Sequence, residues 1–152
     1  MTRKTARQIV VQLLYSMDLN DLTADEALEL FFSPEHYESL AGEDDSFREE
    51  ADEAAVSYIR RLTETVGAHQ DELDELISRY AKGWKTERLS AATRAILRAA
   101  MCEILWFDDI PEGASVNEAV ELGKTFDSPE AAAFINGVLG SFLREEKPAQ
   151  AE

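Results

Sequence analysis

Val116-Asn117-Glu118-Ala119-Val120-Glu121-Leu122-Gly123-Lys124-Thr125-Phe126, followed after seven residues by Phe134-Ile135-Asn136-Gly137-Val138-Leu139, reads as two short helices joined by a turn. Each has its own start signal. Ser115 to Glu118 has the spacing of a capping box, and Ser128-Pro129 places a cap before a proline at the first helical position. Asn117 and Asn136 lie within or beside the apolar stripes, where asparagine is a poor helix former that needs a hydrogen-bonding reason. Both are expected to bond the backbone of an adjacent helix, with ligand contact as the other reading. Gly137 is expected to let two helices approach closely.

The same reading extends towards the N-terminus. Ala6, Ile9, Val10, Leu13, Leu14 and Met17 recur at helical spacing, with Arg3, Lys4 and Arg7 starting the opposite face. Thr23 and Glu26 form a capping box for a short helix that ends near Pro34. Pro34 to Asp45 is acidic and irregular, and reads as a loop. Ser46 and Glu49 form a second box, opening a long helix through Ala55, Tyr58, Ile59, Leu62 and Val66 that stops at Gly67. Asp71 to Tyr80 is a further helix with Gly83 as its stop, and Leu89 to Trp106 is the most apolar one. No period-two alternation occurs. The prediction is all-α: a single compact domain of about seven helices over residues 1–152, with 1–2 and 146–152 as flexible ends.

Composition narrows the function classes. No apolar run approaches the roughly 20 residues needed to span a bilayer, and the basic N-terminus lacks a continuous apolar stretch, so it is not a signal peptide. The single Cys102 cannot form an internal disulfide and fits a reducing cytoplasm. Net charge is −16, which disfavours nucleic acid at long range. The acidity is concentrated, however. Residues 18–53 hold fourteen acids against one base, whereas residues 1–17 hold three bases and no acid. Residues 79–106 hold six bases against two acids. The two basic islands are either solvated helix faces or binding surfaces.

Several pieces in register resemble the NusB family of bacterial transcription antitermination factors. These are Ala6-Arg7 with Gln12-Leu13-Leu14-Tyr15; Trp84, Arg88-Leu89 and Arg94-Ala95-Ile96-Leu97-Arg98 with Ala100 and Glu103; Ile110-Pro111; Asn117-Glu118-Ala119; and Phe134 to Leu139. The resemblance implies a cytoplasmic adaptor, monomer or homodimer. It would bind the boxA element of nascent ribosomal RNA together with the NusE ribosomal protein, so that RNA polymerase reads through terminators. No cofactor, metal or catalytic residue is implied. An alternative on the same fold is a protein-interaction module or homodimer with little RNA binding of its own. Some RNA cytosine methyltransferases carry such a domain ahead of a catalytic one, which is not expected in a chain that stops at residue 152.

The resemblance places RNA on the basic arm, Arg3, Lys4 and Arg7, where cations oppose the helix dipole and so suggest a functional reason. It also places RNA around the last two helices. Phe126 and Phe134 flank the turn at Asp127-Ser128-Pro129 and suit base stacking or core packing, and Lys124 suits a phosphate contact or a dipole-favouring helix end. The arm has only three bases, fewer than many family members carry. Partner contact is implied for Tyr15, which could equally be core, and for Thr93 and Arg94. Thr93 stands where family members often carry an acid facing NusE, a departure that puts one contact of that interface in question. Arg94 and Arg98 could meet RNA or pair with Glu103 or Glu118. His36 and His69 lack ligand-spaced partners, and no nucleotide-binding or nucleophile motif occurs.

Overall fold

The computed structural model describes residues 1–33, 53–82 and 88–146. Among these there are seven helices and no strand, as the all-α expectation has it. They group into two compact units, one running from Met1 to Ala68 and the other beginning at His69. Each is described by itself.

The first unit holds α1 (Arg3–Asn20), α2 (Ala24–Phe31) and α3 (Glu53–Ala68). Thr2, expected in a loose end, caps α1 by accepting the Thr5 N–H at 3.1 Å. Helix α1 buries Ile9, Val10, Leu13, Leu14 and Met17, and ends at Asp21 in the left-handed region (φ 53°), a conformation that aspartate tolerates. The Thr23–Glu26 capping box forms as read, with bonds of 3.1 and 2.9 Å. The bonds from Thr23, backbone first and hydroxyl second, hold the Glu26 carboxyl below its ordinary value of 4.5. Helix α3 runs one residue past the predicted stop. Gly67 lies inside its last turn, where a Cβ would meet that of Ala24 at 3.2 Å. The predicted loop at 34–45 and the Ser46 box lie outside the described residues.

The second unit holds α4 (Gln70–Tyr80), α5 (Ala91–Trp106), α6 (Glu112–Phe126) and α7 (Pro129–Glu146). Beyond α4 the left-handed position is filled by Lys82 (φ 45°), while Gly83, the predicted stop, is outside the described residues. A side chain there costs about 1–2 kcal/mol relative to glycine. Helix α5 begins later than predicted because Ser90 is its cap, accepting the Thr93 N–H at 3.1 Å. Every residue from Ala95 to Ile104 is buried, including the Cys102 thiol, as befits a helix apolar on nearly all sides.

The capping box predicted at Ser115–Glu118 is not there. Helix α6 starts a turn earlier, after Pro111, whose ring presets the backbone for helix entry (φ −61°). Ser115 is instead buried within the helix and donates its hydroxyl to Oε1 of buried Glu103 at 2.7 Å. Ser128 does cap α7 as read, accepting the Ala131 N–H at 3.0 Å. The glycine that allows close approach is Gly123 rather than Gly137. A Cβ at 123 would stand 2.8 Å from Ile135 Cδ1 and 3.1 Å from the Ala132 Cα, whereas one at 137 would meet nothing within 4 Å.

Glu146, placed by the sequence reading in a flexible tail, ends α7 and is held on α4. Its Oε1 accepts from the Tyr80 hydroxyl at 2.5 Å and from Arg79 Nη1 at 2.7 Å. Burial first, and the Glu146 bond second, push the Tyr80 phenol above its ordinary value of 10.0. A raised folded-state value means that the neutral phenol contributes stability in full below pH 10, and that this is lost as pH climbs through the folded value. Denaturant midpoints measured from pH 9 to 11.5 are expected to fall at the alkaline end, and Tyr80→Phe should flatten that decline. An unchanged decline in the variant would assign it to other groups.

Candidate functional site

In the first unit, the start of α1 lies over Tyr58 of α3. The Arg3 guanidinium is 4.1 Å from the ring centroid and exposed, in a cation–π contact worth about 0.5–1 kcal/mol at an exposed site. Lys4 is exposed. Arg7, expected on the solvent face, is only 8% exposed and lies 5.9 Å from the same ring. Its side chain packs against α3, so the arm presents two exposed cations with one buried behind them. The first turn of α1 holds no acid to offset them.

Farther along α1, Tyr15 is 42% exposed and Leu19, one turn on, is 59% exposed; Leu30 of α2 is 60% exposed. Of the two readings of Tyr15, the core one is excluded by this exposure. Arg60 lies over the Phe32 ring at 4.8 Å, a second cation–π pair in this unit.

In the second unit, Lys124 is exposed and lies 3.3 Å from Glu121, a pair of well-solvated groups that holds little energy. Phe126 and Phe134 are both half-buried, each leaving part of its ring at the surface. Asp127 fixes the turn between them. Its Oδ2 accepts from the Ser90 hydroxyl at 2.5 Å and from the Thr93 hydroxyl at 2.8 Å, tying this turn to the start of α5. Thr93 is thereby buried with its hydroxyl directed to a carboxylate of its own chain. Arg94 is half-buried and donates from Nη1 to the Leu89 carbonyl at 3.1 Å.

Arg98 is paired with Asp74 of α4. Its Nε and Nη2 meet Asp74 Oδ1 and Oδ2 at 2.8 and 2.9 Å, a two-pronged bond between α5 and α4. Asn117 and Asn136 are exposed, and neither side chain makes a hydrogen bond among the described residues, so the interhelical bonds expected of them are not formed. Asp74 and Asp127 escaped the sequence reading because acids abound in this chain and neither stands at a helical interval from its partner. His69 stacks on Trp106 at 4.3 Å, while His36 is outside the described residues. Among the described residues no cluster of histidine, cysteine or acidic groups is placed to hold a metal, and no helix is long and apolar enough to cross a membrane.

What the fold and these surfaces define is a class: an all-helical protein whose candidate groups lie on open helix faces and turns. The description "NusB family" is that of the family model that matches residues 4–144. The chain is 38% identical over 149 residues to the transcription antitermination protein NusB of Symbiobacterium thermophilum, covering 98% of this chain and 94% of that protein. Among solved structures it is similar to T. maritima NusB, with a TM-score of 0.81 at 27% identity over 99% of this chain and 96% of the other. It is also similar to a chain from a crystal structure of the antitermination factors NusB and NusE in complex with dsRNA. There the TM-score is 0.74 at 25% identity, over 93% of this chain and 96% of the other. The chain belongs to the NusB family.

Proposed function

We propose that this chain is a transcription antitermination adaptor that binds boxA RNA of nascent ribosomal RNA together with the NusE ribosomal protein. Within the antitermination complex it promotes read-through by RNA polymerase. The observation that carries the reading is the family match over residues 4–144, joined to a relative solved with NusE and RNA. The reading has residues 1–152 work as one cytoplasmic domain, without cofactor or catalysis. Arg3 and Lys4 are the arm's phosphate contacts, with Arg7 behind them. Lys124, Phe126 and Phe134 serve RNA on the second unit. Tyr15 with Leu19, together with Thr93 and Arg94, serve the protein partner.

Fluorescence anisotropy of a labelled boxA RNA, with and without NusE across a salt series, tests this. Binding is expected to be partner-enhanced, and a scrambled RNA should not reproduce it. Reversing Arg3 and Lys4 to glutamate should weaken it at least severalfold and flatten the salt slope by about 0.7 per lost single-strand phosphate contact. No RNA binding in either format would instead favour a protein-interaction module or homodimer. The exposed Tyr15, Leu19 and Leu30, with Arg7 buried, are the observation on that side.

A further inference from the structure

The turn between α6 and α7 is pinned to the start of α5 by one carboxylate. Asp127 follows Phe126 directly, and its Oδ2 accepts from the Ser90 hydroxyl at 2.5 Å and from the Thr93 hydroxyl at 2.8 Å. Ser90 also accepts the Thr93 N–H at 3.1 Å, so the three residues close a ring of hydrogen bonds. The first turn of α5 holds no acid of its own, and Asp127 brings to it the negative charge that a helix start favours. The Asp127 backbone is neither helical nor extended (φ −135°, ψ −101°), so the direction in which the chain leaves α6 depends on what this side chain holds.

The ring lies between residues assigned above to different ligands. Thr93 and Arg94 were assigned to the protein partner, and Phe126 to RNA. Arg94 donates from Nη1 to the Leu89 carbonyl, one residue ahead of the Ser90 cap, at 3.1 Å. A continuous series of bonds therefore runs from Arg94 through Leu89 and Ser90 to Asp127, and so to Phe126. Thr93 is buried, but Ser90 and Asp127 are exposed, and water competes there for the bonds that close the ring. A partner seated over the start of α5 excludes that water and strengthens them.

We propose that Asp127 is a positioning residue that couples the two binding surfaces. Partner binding firms the Asp127 ring, and RNA then meets a turn whose ordering cost has already been met. By linkage, RNA raises the affinity for the partner by the same factor. This rests on the reading above that the chain binds RNA together with NusE. The test measures the affinity of the full chain for labelled boxA RNA without NusE and with saturating NusE, and takes the ratio. Asp127→Ala is expected to lower that ratio about fivefold, the small end of typical coupling factors. Asp127→Asn still accepts both hydroxyls and should keep the ratio near that of the parent. Thr93→Val removes one bond from the other side with little change of shape, and should give an intermediate loss; it carries the test if Asp127→Ala does not fold. A role confined to capping α5 would lower the melting temperature and weaken RNA equally in both formats, leaving the ratio unchanged, and that result overturns the proposal. So does an Asn variant that loses as much as the Ala variant, because the bonds would then not be the cause. A parent that binds RNA without enhancement by NusE overturns the coupling alone. A parent that binds no RNA in either format removes the broader reading, and this one with it.

Discussion

Gly123→Val is expected to cost about 3 kcal/mol of folding stability, the top of the usual range for overpacking, because the obstruction includes backbone. Position 123 is where α6 passes α7. A Cβ there would come within 2.8 Å of Ile135 Cδ1, the movable end of a side chain. It would also come within 3.1 Å of the Ala132 Cα and 3.4 Å of its nitrogen, which move only if the helix does. Valine adds two methyl groups to that crowding and is stiff about its first torsion. For a chain of this length, such a loss lowers the melting temperature by roughly 6–12 °C. Gly113→Ala and Gly137→Ala meet open space and should instead gain up to about 1 kcal/mol from helix propensity. Thermal or urea unfolding of the three variants gives the comparison. A valine at 123 tolerated within 1 kcal/mol would mean that α6 and α7 can separate without loss.

The second large effect is expected at Asp74. Its carboxylate meets Arg98 with both oxygens, at 2.8 and 2.9 Å, and the arginine side chain is only 5% exposed. Asp74→Ala leaves a guanidinium in a site that water scarcely reaches, a situation that costs about 3–5 kcal/mol for fully buried pairs. The Asp74 side chain is itself 28% exposed, so the lower end, about 3 kcal/mol, is the expected loss. The double variant Asp74→Ala/Arg98→Met should recover much of it, because the cost lies in the stranded charge rather than in the missing attraction. Arg98→Lys should not substitute for the parent, since an ammonium cannot make both bonds in one plane. Urea midpoints for the four-corner cycle measure the coupling. Strict additivity would sink the account.

Helix positions and type were legible because apolar residues recur at helical spacing throughout the chain, and local caps at Thr23 and Ser128 needed only a near neighbour to form. Ser115 shows where legibility ends. Its sequence neighbourhood spells a cap, but Pro111 begins the helix a turn earlier and the hydroxyl finds Glu103, twelve residues away. Gly123 and Gly137 are equivalent in sequence terms, each a glycine within an apolar helix. Only the presence of Ala132 and Ile135 beside one of them tells them apart. At the candidate surfaces, the exposure of Arg3 and Lys4 followed from their place at a helix start. The burial of Arg7 depends on Tyr58, contributed by a helix some fifty residues on. Family resemblance supplied the elements proposed to face RNA, while the bonds of Asp127 and Asp74 became visible only with the helices packed.

The clamp on Glu146 has a consequence for the order of folding events. Most helix packing in the second unit joins α5, α6 and α7, which follow one another along the chain. Such pairs form early because little chain must be closed to bring them together. The bonds from Tyr80 and Arg79 span 66 and 67 residues, the longest closures among the side-chain bonds described above. Loop-closure entropy therefore ranks this latch to close after the three-helix nucleus and to release before it. In native-state hydrogen exchange, the last turn of α7 should open at lower free energy than the Ala95–Ile104 stretch of α5, with the rest of the unit still folded.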